Sequence, residues 1–352
     1  MNCCEDCFLD TELKGFIYSN STVSGDCDYC GKIGTNLINP REFEEKFSLL
    51  VNIYDNIEQS DRRDLNPNSL HVKIQSEWNV FSDRLDVTQQ KKLLSDIFSN
   101  SSAEVESLLE GSVERKIKIK DLDQSDFLEK EWDSFVDEIK HHNRFFLGKK
   151  IDLKLLRNLF EFHTKIYKKG KLFYRARISD EEGIILEKMG KPPSDKSTSG
   201  RANPTGIPYL YVATNKETVI NECRATHSDY VAVAEFKLID DLKVVSLRQI
   251  ENISPFSLEE EIEEYLKNQR YLKRLENELS RPLRRNDNKL DYLPTQYICE
   301  YAKYLEFDAV EYGSSLNKEG INLAIFKDSK LRPLSIELNE ILAVKNEVRV
   351  VK

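Results

Sequence analysis

The chain has 352 residues, and its 52 Lys and Arg stand against 61 Asp and Glu for a formal charge of −9. That balance offers no global positive field to gather a phosphate backbone, so nucleic acid is not expected as a partner. Hydrophobic residues at 39% with 15 Tyr and 17 Phe suit a packed core and are too many for disorder. Apolar runs of only a few residues give no expectation of a membrane span. The N-terminal MNCCEDCFLDTEL lacks the basic and then apolar order of a signal peptide, so a cytoplasmic location is expected.

Cys3, Cys4, Cys7, Cys27 and Cys30 crowd the first thirty residues. Cys4-x-x-Cys7 and Cys27-x-x-Cys30 are two chelating pairs, and each suits one edge of a tetrahedral zinc site. Gly25 and Gly31 flank the second pair and supply the backbone freedom of a knuckle. No His stands nearby, so four thiolates would close the shell, and the expected metal is a structural zinc. Cys3 is a spare that stands as an alternative to Cys4, and coincidental thiols or a disulfide pair are the plainer alternative. Cys223 and Cys299 sit in apolar contexts and read as core residues.

From Pro40 to about Lys169 the pattern is helical. Phe43, Phe47, Leu50, Val51, Tyr54 and Ile57 recur at helical intervals. Further helices are expected at about 67–80, 88–99, 125–143 and 152–168. After Gly170 the texture changes to short β-rich runs, among them KLFYRARI, PYLYVAT, YVAVAEFKL, LKVVSL and INLAIFK. Helices at about 216–226, 258–279 and 295–306 lie between them. Strands mixed with single helices predict an α+β domain with a mixed or mostly antiparallel sheet. Neither a G-x-G-x-x-G nor a P-loop pattern occurs, which leaves dinucleotide binding of those kinds unsupported.

The polar residues of this half are informative. Alternation along LFYRARI puts Leu172, Tyr174, Ala176 and Ile178 on one face, with Arg175 and Arg177 together on the other. Two arginines on one strand face are costly to bury without an anion, although a structural ion pair would serve. A Pro-, Ser- and Gly-rich loop over 190–207 then presents Arg201, and the strand after it carries Tyr209 and Tyr211. Glu222 follows on a helix beside Val219 and Cys223. Farther on come a Ser314-Ser315 turn, Gly320 and Asn322.

The ordered motifs YRAR, GRANPTGxPYLYVAT, PTQ, YGSS and GxNLAIF resemble the RES domain family, named for its arginine, glutamate and serine residues. The resemblance covers roughly 170–335. The N-terminal half resembles, more vaguely, the cysteine-containing HEPN-like region that precedes some RES domains. Together these imply a zinc-binding knuckle at 1–38, a helical HEPN-like domain at 39–169 and an ADP-ribosyltransferase-like RES domain at 170–352. The implied activity is cleavage of the nicotinamide–ribose bond of NAD, with phosphate or water as acceptor, by a toxin or defence effector that depletes cellular NAD. An antitoxin or regulatory protein is the implied partner, and self-association is left open. Protein ADP-ribosylation is the alternative within the family.

Carried over residue by residue, the resemblance assigns Arg201, Tyr211 and Asn322 of the last motif to the dinucleotide, Glu222 to catalysis, and Arg175 and Ser314 to both. A tryptophan often found after the second arginine is Ala202 here. The chemistry agrees. An oxocarbenium-like state needs a nearby carboxylate, for which Glu222 is the candidate, with an ordinary surface glutamate as the plainer alternative. Arginine forks suit a pyrophosphate or an acceptor phosphate, while Arg177 reads equally as a structural neighbour. Tyr211 offers a face to nicotinamide and a hydroxyl to ribose. Ser314 has no His in a recognisable order and is not read as a nucleophile. Asn322 either holds the Ser314 turn or touches ligand. Tyr292, Thr295 and Gln296 are expected to cap the helix 295–306. From a different class, Arg157 and His163 match the Arg-x-x-x-x-x-His spacing of HEPN ribonucleases. The other reading of that half is an interaction or sensing module.

Overall fold

The computed structural model describes residues 1–57, 68–116, 129–248, 253–281, 288–317 and 319–344. It divides into two compact units, Met1–Phe127 with Glu251–Arg270, and Leu128–Ile250 with Tyr271–Lys352.

In the first unit, Cys3–Cys4, Thr35–Ile38 and Val23–Gly25 form a small antiparallel sheet with Thr35–Ile38 in the middle. The helix Thr11–Asn20 starts where the Asp10 carboxylate accepts from the Glu12 and Leu13 amides, a strong N-cap. The expected stripe from Phe43 to Ile57 is only partly helical. A 3₁₀ turn Pro40–Phe43 leads into Glu44–Val51, and Tyr54 then enters a strand, Tyr54–Asn56. That strand joins Ser112–Arg115 and Asn68–Ser69 in a second small sheet, so the segment expected to be helical is mixed. Phe43, Phe47, Leu50 and Val51 are buried as periodicity predicts, and Phe47 packs its ring 4.8 Å from that of Phe256. Further helices are Leu70–Trp78, Val87–Ile97 and Ala103–Glu110. Residue 67, the expected start of the first, lies outside the described residues.

The second unit is built on an eight-stranded mixed sheet. Its strands are β1 (Thr164–Tyr167), β2 (Leu172–Ser179), β3 (Leu210–Ala213), β4 (Tyr230–Leu238), β5 (Leu242–Leu247), β6 (Ala309–Gly313), β7 (Ile321–Ile325) and β8 (Leu331–Glu340), in the spatial order β8-β4-β2-β3-β7-β6-β5-β1. All neighbours are antiparallel except β5 and β6. The helices are α1 (Leu153–Phe162), α2 (Lys216–Cys223), α3 (Ile262–Ser280), shared between the units, and α4 (Leu293–Tyr304). The helix expected over 152–168 therefore ends at Phe162. Thr164 and Ile166 are β-branched and favour the strand that follows, so the sheet starts before the boundary read from texture at residue 170. Of the helix expected over 125–143, residues 129–137 are helical and a π turn, Glu138–His142, continues them; residues 125–128 lie outside the described set.

Period-two alternation sorts β4 between two cores. Ala232, Ala234, Phe236 and Leu238 pack on one face with Phe173, Leu210, Val212 and Leu323. Val231 and Val233 pack on the other with Tyr174, Ala176 and the Val219 and Ile220 side chains of α2. A fully buried aliphatic strand contributes roughly 1.5–3 kcal/mol per large side chain, which fixes the register strongly. Edge strand β8 is long and largely exposed, and carries Pro333 where the pairing with β4 shifts between Glu235 and Phe236. Helix α2 stops at Cys223 because Arg224 takes a left-handed φ of 52°, three residues short of the expected end.

Candidate functional site

The sheet is held loosely at one place. Strands β2 and β3 share a single residue pair, Tyr174 opposite Ala213, and beyond it they part. A cavity of about 280 Å³ opens in the gap. Alternation puts Arg175 on the face away from α2, yet it lines the same cavity as Val219, Glu222 and Cys223 of α2. Only a break in the ladder lets side chains from both faces meet in one space. Arg201, Tyr211, Tyr312 and Asn322 complete the polar lining.

Arg175 is half-buried, and its Nη1 has no hydrogen-bond partner among the described residues. Burial, helped by the neighbouring Arg177 charge, pulls its guanidinium down to about 10, so it remains a cation at neutral pH. A buried cation with an open donor is a place for an anion. Arg177 is different. Its Nη1 donates to the Lys188 carbonyl at 2.9 Å and its Nη2 to the Gly190 carbonyl at 3.3 Å, which makes it the structural neighbour.

The exposed Glu222 is held from below. Its Oε1 accepts from Ser314 Oγ at 2.6 Å and from Asn322 Nδ2 at 2.8 Å. Ser314 Oγ in turn accepts the Leu316 and Asn317 amides, both at 3.2 Å, closing the turn after β6. Gly320 belongs to the same construction, since a Cβ there would meet Thr218 Oγ1 at 2.7 Å and Ser314 Cβ at 2.9 Å. Ser314 is thus joined to the cavity through Glu222 and is not part of its lining. Its proton is committed to the carboxylate, and Asn322 reaches the same oxygen. Both side chains orient Glu222. Cys223 packs against the core cluster of Val219, Val231 and Val233, as expected, and also lines the cavity. Burial and the Glu222 charge outweigh Arg175 and push its thiol up to about 11, which keeps it protonated and unreactive at neutral pH.

The hydroxyl of Tyr211, expected to serve a ribose, is already engaged. It donates to Asn203 Oδ1 at 2.7 Å and accepts the Ala202 amide at 3.2 Å, while burial pushes the phenol well above its ordinary range. What Tyr211 offers the cavity is its ring. Tyr209 is not in the lining; its ring packs at a tilt 4.7 Å from that of Phe326, and its hydroxyl donates to Glu300 Oε1 at 2.6 Å. Arg201 donates from Nη1 to the Leu279 carbonyl near the end of α3.

The DYLPTQ segment does not cap its helix. Helix α4 begins at Leu293 with Pro294 in its first turn, and Tyr292 at the N-cap makes no side-chain capping bond. Thr295 and Gln296 are buried and bind the loop that carries Arg201. Sequence reasoning missed that role and also Tyr312. The signal for Tyr312 was its place two residues before Ser314 on a strand, hence on the same face.

In the first unit, the Sγ atoms of Cys4, Cys7, Cys27 and Cys30 all lie within 4.8 Å of one another. Cys4 faces Cys30 at 3.4 Å and Cys7 faces Cys27 at 3.4 Å. A tetrahedral shell with zinc–sulfur bonds near 2.3 Å needs sulfurs about 3.8 Å apart, so the donor set fits such an ion. Cys3 turns its thiol toward the Ile38 carbonyl at 3.7 Å and stands outside the group. The knuckle turns at Gly31, with φ of 70°, whose amide donates to the Cys27 carbonyl.

Arg157 and His163 differ in exposure. Arg157 is exposed on α1, while His163 is 8% exposed and burial pulls its imidazole down to about 4. The buried, neutral imidazole and the exposed guanidinium thus stand in different surroundings.

Among the described residues no helix is long and apolar enough to cross a membrane. No curated protein matches the chain. A chain from the crystal structure of the M.tuberculosis MbcT-MbcA toxin-antitoxin complex is similar at 14% identity and a TM-score of 0.32, over 54% of this chain and 93% of that one. The family model that matches is the RES domain, over residues 173–339. That span holds β2 through most of β8 and every residue lining the cavity, and it identifies this part of the chain as a RES domain.

Proposed function

We propose that the chain cleaves the nicotinamide–ribose bond of NAD in the cavity between β2 and β3, with phosphate or water as acceptor, and acts as a toxin or defence effector restrained by an antitoxin. The observation that carries this reading is one arrangement. A half-buried guanidinium with an open donor, Arg175, faces the same cavity as a carboxylate held by two side chains, Glu222. Phosphoryl oxygens would take the open donor. As the C1″–N bond breaks, the nicotinamide leaves neutral with the bonding pair and positive charge grows on the ribose. Glu222, its orientation fixed, stabilises that charge. The Tyr211 and Tyr312 rings supply flat apolar walls for nicotinamide. A phosphate or water oxygen then forms the new bond to C1″ and, in the case of water, gives up a proton. The volume lies at the small end for ligand pockets and suits the nicotinamide ribose end, with the remainder of the dinucleotide outside.

The zinc reading is part of the proposal. Cys4, Cys7, Cys27 and Cys30 would hold the ion with no ligand position left for chemistry, and its contribution would be to folding. A cytoplasmic site of action follows from NAD as substrate.

The test is nicotinamide release by the purified chain, with and without inorganic phosphate. The expected result is phosphate-accelerated release with ADP-ribose 1″-phosphate as product. Free ADP-ribose alone would make water the acceptor, and labelled ADP-ribose appearing on a protein at the rate of NAD loss would make the enzyme a protein ADP-ribosyltransferase. No nicotinamide release under any condition would overturn the proposal.

A further inference from the structure

The loop Ser199–Asn203 carries Arg201, which lines the cavity, but has no regular secondary structure of its own. Its backbone is nevertheless tied down at several points. Gln296 Nε2 lies 2.7 Å from the Gly200 carbonyl, 3.1 Å from the Asn203 carbonyl and 2.8 Å from Ser199 Oγ. Thr295 Oγ1 donates to the carbonyl of Arg201 itself at 2.6 Å, with the Tyr292 carbonyl at 3.0 Å as its second acceptor. Tyr211 also holds the Ala202 amide and the Asn203 side chain. Gly200 fits only because it lacks a Cβ, which would meet Asn203 Oδ1 and lie 2.8 Å from the Tyr211 hydroxyl oxygen. Thr295 and Gln296 are 3% and 4% exposed, so water does not compete for these bonds. They sit in the first turn of α4, a rigid element, and reach a loop almost a hundred residues away in sequence.

We infer that Thr295 and Gln296 are positioning residues that set where the Arg201 guanidinium stands. They hold the carbonyls on either side of, and at, that residue. A side chain with four rotatable bonds delivers a fork to a phosphate only if its Cα is fixed, because a small displacement of the backbone is magnified at the tip. The inference rests on the NAD reading for its kinetic arm alone.

Thr295→Val keeps the shape and removes the donor, Thr295→Ser keeps the donor, and Gln296→Leu removes the amide. Hydrogen–deuterium exchange of residues 199–203, measured without ligand, should quicken about tenfold in Thr295→Val and Gln296→Leu and stay parental in Thr295→Ser. In nicotinamide release, Arg201 acts on ground and transition states alike. KM for NAD should therefore rise about tenfold in the same two variants with kcat little changed, and Thr295→Ser should restore it. A purely structural role would lower the active fraction, reducing kcat at constant KM, and that pattern overturns the inference. Unchanged loop exchange in both Thr295→Val and Gln296→Leu overturns it as well. If the parent releases no nicotinamide, the NAD reading fails while the exchange experiment still decides the clamp.

Discussion

Replacing Glu222 with Gln separates charge from shape. Oε1 of Glu222 accepts from Ser314 at 2.6 Å and Asn322 at 2.8 Å, and the amide oxygen of Gln accepts both bonds in the same place. The NH₂ then faces outward, where the second carboxylate oxygen stood. Each bond changes from charge-assisted to neutral, a difference of about 1 kcal/mol, reduced because the residue is exposed. The loss of stability should therefore be about 1 kcal/mol or less, lowering Tm by about 2–4 °C for a domain of this size. Catalysis is affected more. Neutralising the group that faces the ribose removes stabilisation of its positive charge, on the order of a hundredfold in kcat, or about 2.7 kcal/mol. Calorimetry and nicotinamide release on the same preparations measure the two effects. Parental turnover in a folded Glu222→Gln protein would refute the carboxylate's role. A collapse of Tm by far more than a few degrees would show instead that the Ser314–Glu222–Asn322 group is a structural staple.

Arg175→Lys keeps a cation but cannot present two parallel donors, so affinity for NAD should fall about tenfold by calorimetry; equal affinity would make Arg175 structural. Metal analysis should find about one zinc per chain, retained in Cys3→Ser and lost in Cys27→Ser, and loss in Cys3→Ser would contradict the placement of its thiol. For His163, burial sets a folded value of about 4 against an ordinary 6.5. The unfolded chain therefore binds the extra proton between those values, and stability falls as pH drops from 6.5 toward 4, by on the order of 3 kcal/mol. Denaturant midpoints for His163→Phe should show a flatter decline over that window than the parent, and parallel declines would place the acid sensitivity elsewhere.

Much of the cavity was legible because its residues are individually expensive. An arginine on an alternating strand, as at position 175, or one framed by glycine and a turn, as at 201, needs a reason that packing does not supply. The four cysteines declared themselves by spacing. Less legible was which polar group answers which. Ser314 read as a ligand contact, and Asn322 as that or as a brace of the Ser314 turn, because nothing local says that their partner is a glutamate about a hundred residues away. Thr295 and Gln296 looked like cap residues because short-range rules are the only ones a linear reading can apply. Helix ends were misplaced where tertiary pairing decides. Thr164–Tyr167 becomes a strand because β5 is there to accept it, and Tyr54 leaves its helical stripe to pair with Arg115.

The single pairing of Tyr174 with Ala213 also has a mechanical consequence. A sheet resists torsion through its ladder, and here three strands on one side and five on the other share one rung. That rung is a compliant joint in an otherwise stiff plate. Arg175 belongs to the three-strand side, and Tyr211, Asn322 and Tyr312 belong to the five-strand side. A molecule gripped by both sides would act as a cross-brace, replacing the missing rungs with its own contacts. Occupancy would then register as a rise in resistance to twisting across the whole sheet.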